Sequence, residues 1–275
     1  MDSSKNSHRR IFFTDLDGTL LNREKIVTPK TLAALKVFTD AGNLFAICSG
    51  RALFNARRAQ EVCHLNFPGS YIVAFNGAEI YDCEAERDIY RVGVPIALAS
   101  DILALAREKG VYCQTYNDHF ILSQVYNENT AYYRSENPNP IIVADDILPY
   151  LDKDPGKLIC VEKDHPEKLE VFRDEVLARW GDVVTCLFSS PCFLEIFRRE
   201  AGKGLALHRL AEYLGIPLSH TIAAGDAEND ISMLKEAGVG IAMKNASPEA
   251  KAVADAVTEE DNDNDGLVPF LLSCV

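Results

Sequence analysis

The chain has 275 residues, 47% of them apolar and 25% charged, an ordinary globular composition with length for one large domain or two smaller ones. A formal net charge of -13 argues against a nucleic-acid partner, because phosphate backbones are held by clustered Lys and Arg that this chain does not gather. A small anionic substrate at a locally positive site stays compatible with that charge. Residues 1–10 are polar, unlike a secretory signal or an anchor, and are expected to fray. No apolar run is long enough to span a bilayer, so the expectation is a cytoplasmic protein without a membrane partner. Eight cysteines are scattered without a Cys-x-x-Cys spacing, which predicts reduced thiols in apolar surroundings.

In chain order, the first informative stretch is 11–21, Ile-Phe-Phe-Thr-Asp-Leu-Asp-Gly-Thr-Leu-Leu. An apolar, β-prone run ends in two aspartates and a Gly-Thr pair, which reads as a buried strand opening into a polar loop. Open α/β sheets place their chemistry at such strand ends. Alternation along an extended backbone turns Asp15 and Asp17 to the same side. Two carboxylates that close either share a cation or leave one of them protonated. Thr28-Pro29 starts a helix that carries Leu32, Leu35 and Phe38 or Thr39 at helical spacing and stops at Gly42. Residues 44–48 form a second buried strand ending in Ser49-Gly50-Arg51. Strand, helix and strand in this order make a right-handed parallel unit, so Ser49 emerges at the same sheet edge as Asp15. A third strand, 71–75, ends at Asn76-Gly77-Ala78.

Beyond Ala78 the pattern changes. Strand-like pieces around Ile80, 89–94, 112–116 and 120–123 surround a helix over 97–109. Further on, 157–162 and 183–188 flank an amphipathic helix over 166–180 with Leu169, Phe172, Val176 and Leu177 on one stripe. Strands outnumber what strand-helix alternation would give, which predicts a separate α+β layer over 79–194, with a turn at Asn137-Pro-Asn-Pro140. The parallel pattern resumes near Lys203 with a helix over 204–214 and a strand over 221–224 that ends in Gly225-Asp-Ala-Glu-Asn-Asp230. A helix stopping at Gly238, a strand over 239–243 and a last helix capped by Ser247-Pro248 follow. The predicted fold is α/β: a Rossmann-like parallel sheet core, 1–78 with 195–275, and an inserted α+β cap, 79–194.

These strand ends bring Asp15, Asp17, Ser49, Asp226, Asn229 and Asp230 to one crevice. Four carboxylates there repel one another by about 1 kcal/mol per pair even at the screening of bulk water. They call for a cation, and hard oxygens with open positions suit magnesium. Lys203 and Arg51 are placed to give fixed positive charge for an anionic substrate.

With these motifs in order, the chain resembles the haloacid dehalogenase-type hydrolase superfamily and, within it, the Cof-like sugar-phosphatase branch. Asp15-Leu-Asp-Gly-Thr19 matches its first motif, Ser49-Gly-Arg51 the second, Lys203-Gly204 the third and Gly225-Asp-x-x-Asn-Asp230 the fourth; Asn76-Gly77-Ala78 is also similar to that branch. The resemblance spans nearly the whole chain. It implies a magnesium-dependent phosphomonoesterase acting on a sugar phosphate or similar small phosphorylated metabolite. Asp15 would attack phosphorus to form an aspartyl phosphate, and Asp17 would protonate the departing alkoxide and then activate water. Magnesium would be held by the Asp15 carboxylate, the Asp17 backbone carbonyl and Asp226, with Asp230 supporting them from behind. Ser49, Gly50, Arg51, Asn76, Lys203 and Asn229 would serve the phosphoryl group or substrate. The inserted segment would act as a lid.

Two alternatives remain open at this point: a phosphomutase using the same nucleophile, as in phosphomannomutases, and a catalytically silent ligand-binding protein of the same fold. The sequence gives no oligomeric state. Cys192 and Arg198 have the spacing of a cysteine-dependent phosphatase, but the intervening Phe-Leu-Glu-Ile-Phe is strand-like, which favours a structural cysteine. Asp261-Asn-Asp-Asn-Asp-Gly266 imitates the start of a calcium loop, yet Leu272 stands where the bidentate Glu belongs, so an acidic solvated loop is expected.

Overall fold

The structure is a computed structural model and describes residues 9–275; most of the polar opening segment expected to fray lies outside the described residues. The chain forms two compact units, one made of the residues up to Tyr90 together with Gly202–Val275, the other of Arg91–Ala201.

The first unit begins with β1 (Ile11–Thr14), α1 (Pro29–Asp40), β2 (Leu44–Cys48), α2 (Leu53–Val62), β3 (Ser70–Ala74), β4 (Glu79–Asp82) and β5 (Arg87–Arg91). Thr28 caps α1 by accepting from the Thr31 N–H, and Thr31, Ala34, Leu35 and Phe38 form its buried stripe. α2 was not expected, since it buries only Ala56, Ala59 and Gln60 and shows no apolar stripe in sequence.

The second unit holds α3 (Ile96–Glu108), β6 (Tyr112–Tyr116), β7 (Ile121–Ser123), α4 (Glu128–Glu136), β8 (Ile141–Val143), β9 (Leu158–Val161), α5 (Glu167–Trp180), β10 (Val184–Ser190) and β11 (Phe193–Arg198). Its strands form one mixed sheet in the order β10-β11-β9-β6-β7-β8. An apolar cluster joins α3 and α5 to that sheet through Ile102, Leu105, Cys160, Phe172, Val176 and Leu194. Leu177, expected on the buried stripe of α5, is 37% exposed; Leu169, Phe172 and Val176 already fill the contact. Tyr112, Gln114 and Tyr116 alternate along β6 and so share a face. They belong to a buried polar network with Ser123 and Tyr133. A Lys157–Glu195 ion pair of 2.8 Å is buried in the same unit.

The first unit resumes with α6 (Lys203–Leu214), β12 (Thr221–Gly225), α7 (Ile231–Glu236), β13 (Val239–Ala242), α8 (Pro248–Val253), β14 (Ala256–Val257) and α9 (Val268–Ser273). Ser247 caps α8 as expected, but α8 is not the last helix. The eight strands of this unit lie in the order β14-β13-β12-β1-β2-β3-β4-β5. β1 is central: Ile11 stands opposite Thr221 on one side and Leu44 on the other, both pairings parallel. Every residue of β1, β2, β3 and β12 is buried. A parallel sheet covered on both faces reads in sequence as continuous apolar runs, which is why these strands were legible.

The expected boundaries of the insert, 79 and 194, need correction. β4 pairs antiparallel with β3, Ala74 opposite Glu79, and β5 extends the same sheet, so residues 79–90 belong to the first unit. At the other end, Glu195 and Ile196 pair with β9, and β11 pairs with β10 as far as Arg198, which keeps 195–201 in the second unit.

Candidate active site

Asp15 is the first residue past β1, and its N–H continues the ladder by donating to the Ala224 carbonyl at 3.0 Å. Ser49, the first residue past β2, donates to the Val73 carbonyl at 2.8 Å. Asp226 follows β12 directly, and Lys203 opens α6. Parallel register therefore puts the carriers of chemistry at the carboxyl edge of one sheet. The loops meet closely there. A Cβ on Gly18, whose φ is +80°, would fall 2.4 Å from the Asp226 Oδ2. Phe75 and Asn76 both have positive φ, with their N–H groups donating to the Arg51 and Ser49 carbonyls. Two consecutive non-glycine residues in that region store strain beside the loop of Ser49.

At the centre, Lys203 is fully buried, with its Nζ 2.6 Å from Asp15 Oδ1 and 2.6 Å from Asp230 Oδ1. Asp230 Oδ2 accepts from the N–H groups of Asp226 and Ala227 at 2.9 and 3.0 Å. Both oxygens of Asp230 are thus committed to holding the lysine and the Asp226 loop. Asp226 Oδ1 accepts from the Thr19 hydroxyl at 2.7 Å. Burial pushes the Asp15 carboxyl well above its usual range against the pull of Lys203, and Asp230, Asp226 and Asp17 push the same way. Burial also raises Asp226, to about 6, with Asp230 and Asp17 adding to it and Thr19 and Lys203 opposing. Lys203 is held protonated: burial works against its charge, but Asp15 and Asp230 outweigh burial.

The residues present fit a hard divalent cation. Asp15, Asp226 and Asp230 each bring a carboxylate oxygen within 4.8 Å of the others. With Asp230 occupied, Asp15 and Asp226 are the carboxylates left to face an ion; burial first, and neighbouring carboxylates second, disfavour their charge, a cost that a cation would relieve.

Asp17 stands apart from that cluster. Arg51 grips it with two hydrogen bonds, Nε to Oδ2 at 2.8 Å and Nη2 to Oδ1 at 2.7 Å. The Lys25 ammonium donates to the same Oδ1 at 2.6 Å. Burial pushes Asp17 upward, but the paired cations prevail and hold it below the usual carboxylate range. Arg51, expected to serve a substrate anion, is thus engaged with Asp17. Ser49 is buried and its Oγ accepts from the Arg51 N–H at 3.2 Å. A Cβ on Gly50 would lie 3.0 Å from Asn76 Oδ1, and Asn229 donates to that oxygen at 3.1 Å. All ten residues singled out in sequence therefore lie in one connected neighbourhood of the first unit. Thr19 and Lys25 were not singled out. Thr19 sits within the first motif, so its position was visible; Lys25 had no signal beyond its charge.

The two decoys resolve differently. Phe193–Arg198 is indeed a strand, and Arg198 pairs with Glu200. The 261–266 segment is docked rather than solvated: Asp261 caps a short turn, Asp263 accepts from the Arg23 N–H at 2.8 Å, and Asp265 accepts from Thr28 and Thr31. Its carboxylates are satisfied by neighbouring donors. No helix of the described residues is long and apolar enough to cross a membrane.

A family model described as haloacid dehalogenase-like hydrolase matches residues 12–271. The 5-amino-6-(5-phospho-D-ribitylamino)uracil phosphatase YwtE of Bacillus subtilis (strain 168) is 32% identical, over 94% of this chain and 95% of its own. A haloacid dehalogenase-like hydrolase from Bacteroides thetaiotaomicron superposes with a TM-score of 0.88 at 27% identity, covering 97% of this chain and 100% of that one. A solved sugar phosphatase of HAD subclass IIB superposes with a TM-score of 0.80 at 25% identity, covering 97% and 100%.

Proposed function

The chain belongs to the haloacid dehalogenase-like hydrolases and is a phosphatase, and on that premise we propose that it is a magnesium-dependent phosphomonoesterase acting on a sugar phosphate or similar small metabolite through an aspartyl phosphate on Asp15. The observation that carries this reading is the charge balance of the site. Four carboxylates, Asp15, Asp17, Asp226 and Asp230, face three cationic heads, Lys25, Arg51 and Lys203. A phosphate dianion added to that set needs a divalent cation beside it. Magnesium, when bound, supplies Lewis acidity toward the phosphoryl oxygens. The carboxylates of Asp15 and Asp226 and the Asp17 carbonyl would hold it, with Asp230 fixing the Asp226 loop.

Asp15 attacks phosphorus while the ester P–O bond breaks, and Asp17 delivers a proton to the leaving alkoxide. Asp17 then takes a proton from the water that attacks the aspartyl phosphate, which releases inorganic phosphate and restores Asp15. Lys203 keeps Asp15 in place, and Ser49, Gly50, Asn76 and Asn229 cradle the phosphoryl group. The ionised state of Asp17 in the Arg51 and Lys25 clamp suits the second step. For the first, a phosphate competing for Arg51 loosens the clamp and lets Asp17 carry its proton. The lid role of the insert belongs to the same proposal and rests on connectivity: the chain leaves the first unit after the hairpin that follows Asn76 and returns next to Lys203. Two relatives are named as phosphatases of a phosphorylated ribityl compound, which supports a polyhydroxylated leaving group.

Asp15→Asn is expected to abolish phosphate release from sugar phosphates and to lose the phosphoryl mass increment on the peptide containing residue 15 in acid-quenched samples. Chelation by EDTA is expected to abolish turnover until magnesium is restored. Full activity in either case removes the reading.

A further inference from the structure

We propose that Lys25 is a positioning residue for the acid-base step, holding the Asp17 carboxylate in its working orientation from a turn built for that purpose. The inference rests on the reading of Asp17 as the group that protonates the leaving alkoxide. Lys25 has a φ of 60°, a left-handed conformation that residues other than glycine rarely adopt. The turn that imposes it is closed on itself. Lys25 N–H donates to the Asn22 carbonyl at 2.9 Å, Asn22 N–H donates to the Ile26 carbonyl at 3.0 Å, and Asn22 Oδ1 accepts from the N–H groups of Glu24 and Ile26. Just past α2, the buried Cys63 thiol lies 3.8 Å from the Lys25 carbonyl.

What the turn presents to Asp17 is the 2.6 Å ion pair between Lys25 Nζ and Asp17 Oδ1. The lysine side chain is 62% exposed and the aspartate 41%, and ion pairs in that setting add little to stability. Fold stability therefore does not account for the ion pair. Orientation does. Arg51 reaches Asp17 from the loop after β2, and Lys25 reaches it from the loop after β1, so two donors from separate segments converge on Oδ1 and stop the carboxylate from rotating. If substrate phosphate draws Arg51 away, Lys25 is the donor that remains on Oδ1, and Oδ2, released by Arg51 Nε, is the oxygen left to carry the proton.

A leaving group that departs without a proton does not need a positioned acid, which gives the test. The kcat/KM values of wild type, Lys25→Met, Lys25→Arg and Asp17→Asn are measured with D-ribose 5-phosphate and with p-nitrophenyl phosphate. A positioned acid contributes about two to four orders of magnitude. Lys25→Met is expected to lose at least about tenfold on the alkyl ester and less than about threefold on the aryl ester, with Lys25→Arg restoring most of the alkyl activity. Equal losses on both esters, or no loss on either, overturn the role of Lys25. Asp17→Asn separates the layers: a split between the esters there, without one in Lys25→Met, sinks Lys25 alone, whereas no split in Asp17→Asn sinks the acid reading beneath it. Thermal melting of each variant excludes unfolding as the cause.

Discussion

Replacing Lys203 by Met removes the cation that, among the described residues, touches both buried carboxylates at the centre of the site. Its Nζ lies 2.6 Å from Asp15 and from Asp230, and its side chain has no exposure. At an effective dielectric constant near 20, opposite charges about 4 Å apart attract by about 4 kcal/mol, and desolvation offsets much of that. The net cost of removing one partner from a buried pair is about 3–5 kcal/mol, because the other charge stays behind unpaired. Two carboxylates are left behind here, so Lys203→Met is expected at the top of that range, about 5 kcal/mol. That is a large share of the ~5–15 kcal/mol that holds a typical protein folded, and it corresponds to a fall in Tm of about 10–20 °C. Guanidinium unfolding of the magnesium-free protein measures it. The double variant Lys203→Met with Asp230→Asn removes one of the orphaned charges and is expected to recover about 2 kcal/mol. A single variant within about 1 kcal/mol of wild type, or a double variant no more stable than the single, would refute the buried-charge account.

The raised proton affinity of Asp226, about 6 against an ordinary 3.8, has a definite sign. Because the folded-state value lies above the unfolded one, the metal-free protein loses stability as pH rises from about 4 to about 6, a slope that unfolding curves across that window reveal. On the proposed magnesium site, protons and the ion compete for the same oxygens, so the magnesium concentration for half-maximal activity is expected to rise as pH falls below about 6; a constant value from pH ~5 to ~7.5 would contradict it. Gly18→Ala puts a Cβ 2.4 Å from Asp226 Oδ2 at a φ of +80°. It is expected to destabilise the fold by about 1–3 kcal/mol and to raise the magnesium requirement, and unchanged magnesium titration curves would count against the close packing of the two loops.

The central strands and their acidic ends were legible because a doubly covered parallel strand has no polar face to interrupt its apolar run: Ile11 to Thr14 and Leu44 to Cys48 read directly as strands that end in chemistry. Sheet membership was not legible. The hairpin of β4 and β5 reads as two more strand-like pieces without an alternating pattern, and only the antiparallel pairing of β4 back onto β3, Ala74 opposite Glu79 across a tight turn, assigns it to the first unit. α2 was invisible because small alanines and one glutamine make its buried face. In the site, residue type and spacing pointed to Asp15, Asp226 and Lys203. The clamp on Asp17 was hidden, since an arginine two residues past a serine looks the same whether it meets a carboxylate or a phosphate, and Lys25 owes its place to a backbone turn that leaves no compositional trace.

The partnership of β1 with β12 also sets the order in which the molecule can be made. The strand that carries Asp15 is synthesised early, yet its neighbour on one side, and the lysine that neutralises it, come from the far side of Arg91–Ala201. A ribosome releasing this chain delivers a contiguous second unit that can fold on its own schedule, while the first waits with half a sheet and an unpaired edge. Asp15 and Lys203 meet only after the late segments have emerged, so nascent fragments lack the assembled site.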